Sequence, residues 1–93
     1  MTKEWKDQSG RLTIWLSDDA DDFNVFAHEM TSRFGAPTER LDGLDQRYWN
    51  FSVDGGTVVL HGDALAGVSI HTEDGPLDDL LHSIASSLLQ AKS

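Results

Sequence analysis

Apolar residues in this chain recur at two periods, and the points where one gives way to the other set the order of its elements. In residues 11–16 the apolar positions alternate. Leu12, Ile14 and Leu16 share one face, Thr13 and Trp15 the other. A period of two predicts a strand. Beyond Ser17 the period lengthens: Phe23, Phe26, Ala27, Met30 and Phe34 fall on one stripe of an amphipathic helix. Gly35 suits the position just past that helix, and Pro37 stops its continuation.

The period returns to two in residues 46–53. Trp49, Phe51 and Val53 point one way; Tyr48, Asn50 and Ser52 point the other. Asp54-Gly55-Gly56 reads as a hairpin turn, because glycine tolerates positive φ. A strand over 57–61 and a looser connection over 63–67 follow. A further strand covers 68–72, with Val68 and Ile70 on one face and Ser69 and His71 on the other. Gly75-Pro76 opens a last helix, Asp78 and Asp79 suit its first turn, and Leu77, Leu80, Leu81, Ile84 and Leu88 form its stripe.

The expected fold is therefore α+β: a two-layer sandwich of order β-α-β-β-β-α, with a four-stranded, mostly antiparallel sheet and both helices on one face. If the first two strands are parallel neighbours, their crossover is right-handed. Residues 1–10 read as a flexible N-terminal arm from which Trp5 docks on the body, and 11–93 as one domain. Such a layout leaves one sheet face bare, carrying Thr13, Trp15, Tyr48, Asn50, Ser52, His61, Ser69 and His71, with Val59 as a further candidate.

Sixteen acidic residues stand against seven basic ones, for a formal net charge of -9. That field repels nucleic acid and anionic lipid and favours basic partners. Three explanations stay open: a plain solubilising surface, attraction to a basic partner, and adaptation to high salt. There is no cysteine, so disulfides and thiolate metal sites are not expected. No apolar run approaches the roughly 18–20 residues that span a bilayer, and the N-terminus is too polar for a signal peptide. A cytoplasmic location is the default expectation.

Candidate chemistry is sparse. Asp18, Asp19, Asp21 and Asp22 suggest calcium, but the loop pattern fails: counting from Asp18, Phe23 stands where glycine is needed. Capping of the following helix explains the cluster better. His61, Asp63 and His71 would suit zinc or iron if their strands pair, though no fixed motif spaces them. The chain has no Gly-x-Ser-x-Gly elbow and no phosphate loop. No catalytic residue, cofactor or metal is expected.

The run from Leu41 to Gly62, with its Tyr48-Trp49-Asn50-Phe51 strand leading into a glycine hairpin, resembles small acidic uncharacterised bacterial proteins. In size, acidity and mixed α/β layout the chain is similar to toxin-neutralising immunity proteins and phage inhibitors of nucleases. The resemblance implies a fold and a non-enzymatic inhibitory or binding role toward a basic protein, such as a nuclease or another nucleic-acid-handling factor. It carries over no site residue. From the residues themselves, Asp18, Asp19, Asp21, Asp22, Asp42 and Asp45 are expected to steer the partner. Trp15, Tyr48, Asn50, His61 and His71 are expected to supply the contact. The alternatives are a self-associating module that pairs this face as a homodimer, and a metal-dependent enzyme using His61 and His71.

Overall fold

The structure, a computed structural model, describes residues 3–6, 8, 10–73 and 77–92. Its strands are β1 (Lys3–Lys6), β2 (Leu12–Ser17), β3 (Glu39–Asp42), β4 (Gln46–Val53), β5 (Gly56–Asp63) and β6 (Gly67–Thr72); its helices are α1 (Phe23–Phe34) and α2 (Asp78–Lys92). The strands form one sheet in the order β1-β2-β6-β5-β4-β3. Every neighbouring pair is antiparallel.

This corrects the expected four strands to six, and the expected order to β-β-α-β-β-β-β-α. The two added strands, β1 and β3, are the edges of the sheet. Residues 3–6, assigned by sequence to an arm, form β1. Positions 1–2, 7 and 9 of that arm, and the helix start at Gly75-Pro76, lie outside the described residues. With no parallel neighbours among the described strands, the crossover rule has nothing to act on.

The period-two pattern places Leu12 and Ile14 of β2, Val68 and Ile70 of β6, Val58 and Leu60 of β5, and Phe51 and Val53 of β4 on one side. Phe23, Phe26 and Met30 of α1 and Leu81, Ile84 and Leu88 of α2 join them in a single buried cluster. Both helices therefore lie on the same face. Each fully buried aliphatic or aromatic side chain contributes roughly 1.5–3 kcal/mol.

The edges follow from charge. Glu39-Arg40-Leu41-Asp42 is exposed throughout, and charged side chains discourage pairing with another chain's edge. On β1 the residues Glu4 and Lys6 turn toward the helices. His82 of α2 donates from Nε2 to Glu4 Oε2 at 2.7 Å, and Lys6 Nζ lies 3.0 Å from Asp78 Oδ2. These contacts are half-exposed and individually weak, but they join the edge strand to α2. The β4–β5 hairpin closes through a two-residue turn, with Asp54 at φ 50° and Gly55 at φ 83°. Positive φ at both positions matches the twist of the flanking strands. Among the described residues, no helix is long and apolar enough to cross a membrane.

Candidate binding face

The side of the sheet away from the helices has two central rows of side chains, flanked on β4 and β5 by Gln46 with Asp63 and by Ser52 with Thr57. Register aligns Leu41, Tyr48, His61, Ser69 and Trp15 in one row. It aligns Glu39, Asn50, Val59, His71, Thr13 and Trp5 in the next. Glu39, on the outermost strand, is the only carboxylate among these eleven. Trp15, Tyr48, Asn50, His61 and His71 are thus brought onto one surface, because alternation fixes which way each strand residue points.

Tyr48 and His61, direct partners across β4 and β5, stack with ring centroids 4.3 Å apart and planes 5° from parallel. Tyr48 donates its hydroxyl to Gln46 Oε1 at 2.6 Å. The His61 Nε2 atom is buried with no hydrogen-bond partner. Burial pushes the His61 pKa below its ordinary value of 6.5, against the opposing pull of Asp63. Asp63 is itself held below its usual range by the backbone N–H groups of Leu65 and Ala66, which donate to Oδ1. Trp15 donates from Nε1 to Ala66 O at 3.0 Å, which ties its indole to the β5–β6 turn. Val59 is only 1 % exposed although no helix covers its side of the sheet. Its neighbours on the face close over it, so the rows pack as a continuous surface.

The carboxylates expected to steer a partner divide. Asp21 and Asp45 meet Asp63, Leu44 and Ala64 around a hollow of about 260 Å³ at one end of the sheet. Ala64 N donates to Asp45 O at 2.8 Å, which holds the two loops together. Leu44 and Leu65 stand on these loops at 103 % and 97 % exposure. Asp18 is exposed beside them in sequence. Asp19 and Asp22 have local tasks: Asp19 Oδ1 accepts from Asp21 N at 2.9 Å, and Ser17 Oγ donates to Asp22 Oδ2 at 2.6 Å.

Asp42 lies on the opposite, helix-facing side. It accepts from Trp49 Nε1, Arg47 Nε and Arg40 at 2.9, 2.8 and 3.2 Å. The Trp49 indole and Arg47 hold its pKa down to about 2. Its charge is matched where it sits, so it steers less than its position in sequence suggested.

His61 and His71 are diagonal rather than opposed, because Val59 pairs with His71 and His61 with Ser69. Among the described residues, no group of three His, Cys, Asp or Glu is placed to hold a metal. The exposed Leu41, at 62 %, and Trp5, at 51 %, extend the face beyond what the sequence indicated. Both lie on edge strands too short and too charged to show a period.

Two imidazoles carry opposite pH signatures. His61 has a lowered pKa, so its contribution to stability is complete above pH 6.5 and is lost as pH falls through its folded value. His82 has a pKa raised by its bond to Glu4, so its contribution is complete below pH 6.5 and is lost as pH rises through its folded value. Titration followed by imidazole NMR should place the two curves on either side of 6.5. Glu4→Gln should bring only the His82 curve down. Coincident curves would show that neither environment is as described.

The fold and surface together define a small α+β protein with one helix-covered and one uncovered side. No family model, curated protein or solved structure matches the chain.

Proposed function

We propose that this protein is a non-enzymatic binding or inhibitory protein, of immunity or phage-inhibitor type, that engages a basic protein through its uncovered sheet face. The observation that carries this reading is the contrast between the face and its surroundings. A chain with net charge -9 keeps ten of the eleven positions in the two central rows free of carboxylate; six of the ten are Trp, Tyr, His or Leu, and Asp63 and Glu73 stand at the flanks of the rows. Protein contact surfaces have that composition: charge is depleted at the centre and aromatics are enriched.

The acids around the face supply attraction at long range and raise the encounter rate with a cationic surface. Nucleic-acid-handling proteins present net positive grooves, so a nuclease or a similar factor is the partner class this charge fits best.

Capture from an extract of the source cells tests the reading. The wild-type chain should retain a basic protein at low salt. Retention should fall in roughly 1 M salt, where the screening length is about 3 Å. It should be lost in Leu41→Glu/Tyr48→Ser, which alters the face and leaves the core untouched. Retention of no basic protein, or equal retention by the variant, would refute the proposal. A firm dimer in light scattering that dissociates on Leu41→Glu would instead favour self-pairing of the face.

A further inference from the structure

One hollow on the uncovered face has a lining that points to a particular kind of guest. It is an open groove of about 380 Å³ lined by Glu39, Arg40, Leu41, Tyr48, Asn50, Val59 and Glu73. Glu73 joins the face because its N–H donates to Thr57 O at 3.1 Å, extending the β5–β6 ladder by one residue. The Glu39 and Glu73 carboxylates have no hydrogen-bond or ion-pair partner among the described residues. Arg40 does not neutralise them. Its guanidinium is on the other side of the sheet, 3.9 Å from the Trp49 ring centroid and 3.2 Å from Asp42 Oδ2.

The hollow thus combines an exposed leucine, an aromatic side, an amide and two uncommitted carboxylates. That combination suits a side chain with an aliphatic stem and a cationic head. We propose that the hollow is a subsite for an arginine side chain of the partner protein. The stem lies on Leu41 and against Tyr48, and the head meets Glu39, Glu73 and the Asn50 carboxamide oxygen. Arginine fits better than lysine because its planar fork offers five donors to three separate acceptor groups, and it also stacks on aromatic rings. The assignment rests on the basic-partner reading and names the contact at its centre.

The test is titration of the isotopically labelled full chain with a capped Ala-Arg-Ala peptide, followed by amide NMR. The same peptide with citrulline in place of arginine keeps the shape and removes the charge. The arginine peptide should give saturable shifts centred on Asn50, Val59 and Glu73. The citrulline peptide should bind at least about tenfold more weakly, and Glu39→Gln/Glu73→Gln should lose about tenfold in affinity. Both glutamates are exposed, so the variant is expected to fold.

Equal binding of the two peptides, an unaffected double variant, or shifts centred instead on Asp21, Asp45 and Asp63 would each overturn the subsite. The two ideas fail separately. A basic protein captured equally well by Glu39→Gln/Glu73→Gln removes the subsite and keeps the partner. Peptide binding in the hollow with no basic protein captured does the reverse.

Discussion

Gly67→Ala is expected to lower the stability of this protein by about 3–5 kcal/mol, from overpacking added to a left-handed backbone penalty. Gly67 opens β6 at φ +92°, and an added Cβ would come within 1.9 Å of Ser17 O and 2.8 Å of Ser17 C. Those atoms are backbone and cannot rotate away. They belong to the stretch where β2 shifts register against β6, between Trp15 and Ser17. Pushing them apart would open the junction that positions the β5–β6 turn, and with it the Ala66 carbonyl that holds Trp15. A chain of 93 residues has a total stability of roughly 5–14 kcal/mol, so much of it would go. With an m-value of about 1.5 kcal/mol/M, the urea midpoint should fall by about 2–3 M. A fall below about 0.5 M would show that the strands are not packed as closely as described.

Phe23→Ala should cost a similar amount, about 3–5 kcal/mol. Phe23 starts α1 and is fully buried. It meets Trp49 edge-on at 5.5 Å and 85°, with the Arg47 guanidinium 4.3 Å from its ring centroid. Its ring lies so close to β5 that a Cβ on Gly62 would come within 2.7 Å of Cδ2. The absence of a side chain at position 62 is what lets the aromatic seat there. Gly62→Ala alone should cost about 1–3 kcal/mol. In Phe23→Ala/Gly62→Ala the new methyl enters the space the ring leaves, so the double variant should be less destabilised than the sum of the singles by about 1–2 kcal/mol. Urea unfolding followed by tryptophan fluorescence measures all three, and strict additivity would contradict the contact.

The same two positions show how much the sequence discloses. The stripe containing Phe23 and the alternation around Trp49 and Phe51 are periodic over several residues, so α1, β2, β4, β5, β6 and α2 are legible from spacing alone. A glycine in β5 carries no such signal, and its reason becomes visible only against the ring it faces. β1 and β3 escape a sequence reading for another reason. Lys3-Glu-Trp-Lys and Glu39-Arg-Leu-Asp are short and mostly charged, because edge strands are protected by charge rather than marked by apolar alternation. The one usable hint was the short Gly43-Leu44-Asp45 link, which can close a hairpin onto β4.

The pairing of β3 decides part of the site. Alternation placed Tyr48, Asn50, His61 and His71 on a common side without needing strand order. The side on which Asp42 falls depends on how β3 pairs with β4. That pairing aims Asp42 at Arg47 and Trp49 instead of toward a partner. Glu39 and Leu41 reach the face through the same pairing, and neither shows as a surface residue until the edge strand is in place.

The chain contains no cysteine, so single thiols report on one position at a time. Ser69→Cys sits at the centre of the uncovered face, and Ser86→Cys on the exposed side of α2. In the free protein both should react with a maleimide. With the captured basic partner bound, the thiol at 69 should be shielded while the one at 86 stays reactive. A thiol at 69 that resists the reagent in the free protein, or that stays reactive in the complex while 86 is shielded, would contradict an open sheet face that receives the partner.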